Sequence, residues 1–111
     1  MADLDWNDLV KKMLGAVKPI LLQHYNEAEP YAESEFKKIG EAVTTIIKLK
    51  ALGKITEKKA MLHMQMQSLA AQNVLLTVEG IGIVAAQEAI NAALGVIRDA
   101  VNAALGGWKV L

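Results

Sequence analysis

The chain has 111 residues, no cysteine, and twelve Lys plus Arg balanced by twelve Asp plus Glu. Its 53% hydrophobic content excludes disorder, which needs low hydrophobicity and high net charge. The zero balance argues against nucleic acid, since no basic excess displaces counterions from phosphates, and missing thiols exclude disulfides and zinc fingers.

A chain of this length makes one domain. In its first segment Trp6, Leu9, Met13, Val17, Ile20 and His24 recur at three- and four-residue spacing, which is one face of a helix. Asp3 or Asp5 can cap the start by accepting from unpaired backbone N–H groups. Pro19 lies inside this pattern and presses on the carbonyl of Gly15, so a kink or break is expected over 15–19. Residues 26–30 read as a turn, with Pro30 at the first position of the next helix.

The second helix places Phe36, Ile39, Val43, Ile46, Ile47 and Lys50 on its inward stripe. Glu33 and Glu35 fall in its early turns and Lys48 and Lys50 in its last, as the helix dipole favours. Gly53 suits a left-handed terminator and Thr56 an N-cap. So short a connection makes the two flanking helices antiparallel.

From Ile55 onward one pattern holds its phase: Ile55, Leu62, Leu69, Leu76, Ile83, Ile90, Ile97 and Ala104 are seven residues apart. It reads as one helix of about fifty residues, roughly 75 Å long, or as two helices that break at Gly80-Ile81-Gly82. Two glycines cost only about 1 kcal/mol each in a helix and permit either. The need to bury apolar surface in a short chain favours the break.

Charge is unevenly spread along these elements. Residues 1–53 carry fifteen charges, and residues 60–108 only four: Glu79, Glu88, Arg98 and Asp99. The expectation is an all-α fold, a small antiparallel bundle of three to four helices, the last one or two long and Ala-rich, in an oligomer. Residues 1–111 form a single helical domain: a charged hairpin over 1–53, an apolar oligomerisation segment over 54–106, and a tail over 107–111. The opening Met1-Ala2-Asp3-Leu4-Asp5 lacks the basic stretch and apolar run of a signal peptide. A cytoplasmic setting, or one within an assembled particle, is therefore expected.

Chemical motifs are few. Gly80-Ile81-Gly82-Ile83-Val84-Ala85 matches the dinucleotide fingerprint, with an apolar run before it and Asp99 where a ribose-binding acid is sought. That chemistry needs flanking parallel strands, and the surrounding pattern is helical, so glycines packed within an apolar helix are the plainer reading. Met61, His63, Met64 and Met66 offer soft-metal ligands, but on a helix Met64 and Met66 point about 200° apart. Neither His24 nor His63 follows a Glu by three residues, as a di-iron bundle requires. Ser34 and Ser68 lack a His–acid pair; Ser68 reads as bonding a local carbonyl. Glu27, Glu29, Glu33 and Glu35 read as solvated charge, which leaves Glu79 and Glu88 as the acids in apolar surroundings. No catalytic residue, cofactor or metal site is expected.

Two classes of function survive. In the first, the chain is a non-enzymatic assembly module that pairs with itself or another helical protein. On a helix over 83–105, Ile83, Ala86, Ile90, Ala93, Leu94, Ile97, Ala100, Val101 and Ala104 fill one broad face. Val84, Ala85, Ala89, Ala92, Val96 and Ala103 cover much of the rest, leaving a polar strip of Glu88, Asn91, Arg98, Asp99 and Asn102. A helix so widely apolar must be buried, and the expected interface is Leu69, Leu76, Ile83, Ile90, Leu94, Ile97 and Val101. A structural component of a virus or phage fits this type, as does a small bacterial adaptor. In the second class the apolar helices form a membrane-active or pore-type protein. Burying Glu88, Arg98 and Asp99 at a bilayer centre costs roughly 9 kcal/mol, against about 4.5 kcal/mol returned by nine aliphatics. That sum disfavours a membrane partner.

Overall fold

Asp5 opens the first helix, its carboxylate accepting from the Asp8 N–H at 3.2 Å. The computed structural model describes residues 4–111, so the alternative cap Asp3 lies outside the described residues. Among these the fold is all-helical: α1 (Trp6–Leu21), α2 (Tyr25–Ala51), α3 (Glu57–Leu75) and α4 (Ile83–Ala104).

Helix α1 runs on through Pro19 to Leu21 and does not break over 15–19. Pro19 and Gly15 are both exposed, so water can satisfy the carbonyl that proline leaves without a donor. The chain reverses at Leu22 instead, which adopts φ 52° and ψ −124°. A left-handed leucine is costly, and this one is 67% exposed. A single 3-10 turn over Leu22–His24 leads straight into α2.

The turn expected over 26–30 is thus absent, and Pro30 lies inside α2. Tyr25, Ala28 and Ala32 are buried there, and this inward face holds the helix together ahead of the proline. Asn26 and Pro30 are exposed, so the bond that proline deletes falls on the solvent side. Glu35 is displaced by this earlier start: it sits well inside α2 and is only 6% exposed, not solvated in a first turn. Its carboxylate keeps one cation, Lys38, at 3.0 Å.

Since α1 already tolerates Pro19, Pro19→Ala should restore a donor without disturbing any packed contact. We expect stability to rise by a few tenths to about 1 kcal/mol, read as a slightly higher urea midpoint. A loss of several kcal/mol would mean that proline sets the approach to Leu22.

The inward stripe of α2 is as its spacing requires: Phe36, Ile39, Val43 and Ile46 are at most 1% exposed, with Ile47 and Lys50 half-buried. On α1, Met13 and Val17 are fully buried, while Trp6, Leu9, Ile20 and His24 flank them half-buried. Val10 and Leu21 join the core in their place. The arc shifts because α1 packs against two neighbours, most extensively α4 and then α2.

Gly53 ends the α2 side of the next connection at φ 68°, and the Thr56 hydroxyl accepts from the Lys59 N–H at 3.2 Å. Helix α3 then returns along α2. After Leu75 the chain leaves the helix and re-enters one only at Ile83, so the long heptad pattern is divided between two helices. The glycines lie in this connection and not within a continuous apolar helix. Gly80 has φ 92°, and a Cβ there would collide with the His24 ring.

Three cross-contacts define the topology. Trp6 lies on Gly40, where an added Cβ would come within 2.7 Å of the indole. His24 abuts Gly80, and the Lys50 ammonium donates to the Leu105 carbonyl at 2.6 Å. Successive helices therefore run up, down, up and down around one core, within 44 × 23 × 18 Å. Residues 107–111 dock onto this bundle: the Lys109 N–H donates to the Glu57 carboxylate at 3.0 Å and the Val110 N–H to Asn102 Oδ1 at 3.1 Å. Among the described residues no helix is long and apolar enough to cross a membrane.

Candidate functional site

Helix α3 has two faces with different fates. Ala60, Met64, Ala71 and Leu75 are at most 1% exposed and fill the bundle. About half a turn away around the axis lie Leu62, Met66, Leu69 and Asn73, and the C-cap residue Leu76 continues the row. The four apolar members are 47%, 69%, 58% and 37% exposed, in that order. Their spacing alternates four and three residues, which is the seam of a coiled coil. No Asp, Glu, Lys or Arg occurs between residues 60 and 78, so the stripe and its flanks are uncharged.

The seven residues expected at an interface divide between two environments. Leu69, Leu76 and Ile83 are exposed, Ile83 at 64%. Ile90, Ile97 and Val101 have no exposure at all, because α1 and α3 cover that face of α4 within one chain. Leu94 is half-buried against the same core. The apolar face of α4 is covered largely by α1 of the same chain. Leu62 shares the seven-residue repeat and belongs with the outward set, and Met66 joins it there. The four–three alternation from Leu62 onward is the signal that includes it.

The polar strip of α4 faces water: Glu88, Asn91, Arg98 and Asp99 are exposed, while half-buried Asn102 accepts from the docked tail. Glu79 is exposed as well, so neither acid has the shielded surroundings that its apolar neighbours in sequence suggested. General acid–base work needs such shielding to bring a carboxyl group towards neutral pH. Met64 points inward at 1% exposure and Met66 outward at 69%, so the thioethers diverge as helical geometry demands. The Ser68 hydroxyl donates to the Met64 carbonyl at 2.9 Å. Among the described residues no three His, Asp or Glu side chains gather where they could hold a metal.

The dinucleotide-like glycines are flanked by helices on both sides, with Gly82 as the N-cap of α4. Val74 and Leu75, which resemble a preceding strand in composition, are the last turn of α3. Near this end Tyr25 is buried, and burial, reinforced by the negative charge of Glu29, holds its hydroxyl above the usual tyrosine value. Its ring packs into the core of the bundle. A shallow surface groove of about 440 Å³ lies between Trp6, Asn7, Lys37, Gly40, Glu41, Thr44 and Thr45. It is open to solvent and holds no buried polar group aimed at a ligand.

The outward stripe of α3 is thus a row of large apolar side chains that the bundle leaves exposed. Comparison with protein-family models, with curated proteins and with solved structures finds no match to this chain.

Proposed function

We propose that this chain is a non-enzymatic self-association module whose working surface is the outward stripe of α3. The observation that supports this reading is the row Leu62, Met66, Leu69 and Leu76, four large apolar side chains aligned on one exposed face. Singly exposed leucines are ordinary on a protein surface, but a contiguous row of them marks a contact surface. Helical pairing is the means of association that such spacing serves. A neutral helical unit of this kind fits a structural part of an assembled particle, of the sort viruses and phages build, better than it fits a catalyst. Of the expected interface, Leu69, Leu76 and Ile83 remain open to a partner; Ile90, Ile97 and Val101 act through the fold instead.

Light scattering at micromolar concentration tests the proposal. The mass should reach at least twice the 12.0 kDa of the chain and fall on dilution. Two heptads of seam are a small contact beside the roughly 800 Å² per partner of a standard interface, so fast exchange is expected. A folded chain that keeps the monomer mass at every concentration would refute self-association.

A further inference from the structure

We infer that two copies join α3 to α3 in parallel and in register, with the two Asn73 side chains facing each other across a two-fold axis. The inference rests on the self-association reading and specifies its geometry. In heptad terms Leu62, Leu69 and Leu76 occupy d positions, while Met66 and Asn73 occupy a positions. Met64 and Ala71 then fall at f, opposite the seam, which is where they are buried in their own bundle. One helix can therefore serve the core with one face and a partner with the other. Neither contact disturbs the other.

Asn73 decides the orientation. A single asparagine at an a position is tolerated when it meets its own copy, because each amide can then donate to and accept from the other. In a parallel, in-register pair Asn73 faces Asn73. In an antiparallel pair a positions pack against d positions, so Asn73 lies across from a leucine, Leu62 or Leu69, which offers a desolvated amide no partner. The flanks agree with self-pairing. The inner neighbours across a parallel seam are Gln65 with Ala70, and Gln72 lies at the end of the helix, so no like charges oppose each other. A lipid surface is the weaker occupant, since membrane-surface helices carry Lys and Arg beside the apolar face and residues 60–78 carry none.

The absence of cysteine makes the test direct. Leu62→Cys, Asn73→Cys and Leu76→Cys would be made singly in the full chain and oxidised at micromolar concentration. All three positions are exposed, so folding is retained, and Gln87→Cys on the exposed side of α4 reports random collisions. Each of the three should by itself give a band at twice the 12.0 kDa chain mass on a non-reducing gel, and Gln87→Cys should not. In mixtures of two variants, linkage of Leu62→Cys to Asn73→Cys or Leu76→Cys, with none of Leu62→Cys to itself, would overturn the parallel arrangement. A dimer by light scattering that links at none of these positions would overturn the α3 seam while leaving self-association standing.

A monomer would overturn both readings, and flotation of that monomer with phosphatidylcholine–phosphatidylglycerol vesicles would assign the stripe to lipid. A second measurement isolates Asn73. Asn73→Leu should tighten association by about tenfold or more, because a polar layer costs stability. The same change should let mixed-orientation links between Leu62→Cys and Leu76→Cys appear. If Asn73→Leu changes neither affinity nor orientation, Asn73 lies outside the contact and the inference fails.

Discussion

Ile97→Asp should unfold the chain outright, while Leu69→Asp, from the same heptad series, should leave it folded. Ile97 has no exposed surface, whereas Leu69 is 58% exposed. Removing a fully buried aliphatic forfeits about 1.5–3 kcal/mol, and an unpaired carboxylate in its place adds several kcal/mol more. Against a total stability of about 5–15 kcal/mol, that loss is decisive. At Leu69 a charge enters water, so the change in stability should stay within about 0.5 kcal/mol. Far-UV circular dichroism and urea titration of the two variants side by side make the comparison. A helical, cooperatively folded Ile97→Asp chain would contradict the burial of that face within one copy.

Lys50→Met is expected to have the next largest effect, on the end of the bundle where α2 meets the last turn of α4. The Lys50 ammonium donates to the Leu105 carbonyl at 2.6 Å and lies 4.6 Å from the centre of the Trp108 ring. A cation is well placed there, because the closing carbonyls of a helix carry partial negative charge. A charge-assisted bond contributes about 1.5–3 kcal/mol, and the contact with the indole about 0.5–2 kcal/mol. The two share one half-exposed ammonium and do not add in full, so about 2–3 kcal/mol should be lost. For a domain of this size the melting temperature should fall by roughly ten degrees. Methionine keeps most of the stem and its packing, which separates loss of charge from loss of volume. Trp108 emission should shift to longer wavelength as its ring becomes more exposed. An unchanged melting curve would mean that the last residues dock without help from Lys50.

Much of the helical content could be read from periodicity and capping. Asp5 and Thr56 act as N-caps, Gly53 as a left-handed terminator, and Phe36 to Ile46 as the inward stripe of α2. Each of these depends on local chemistry: a side-chain oxygen near unpaired N–H groups, a residue without Cβ, or a repeat near 3.6. The prolines show where local rules stop. Pro19 and Pro30 both lie inside helices, and the reversal falls on Leu22, which no propensity marks as a turn residue. Burial of Leu21, Tyr25 and Ala28 on either side of it fixes where the chain must turn. That burial is a property of the packed bundle.

The same limit applies to the surface assigned to association. By itself the sequence determined that an apolar repeat of seven begins near Ile55 and keeps its phase to Ala104. It could not determine which members of that repeat serve the chain's own core. Once the connection after Leu75 divides the pattern, α4 turns Ile90 and Ile97 inward while α3 turns Leu62, Leu69 and Leu76 outward. Helix α3 can do so because Ala60, Met64, Ala71 and Leu75 give it a second apolar face for the bundle. A helix with two apolar faces has two burial solutions of similar local energy. Only its neighbours, α2 and α4, decided which face they would cover.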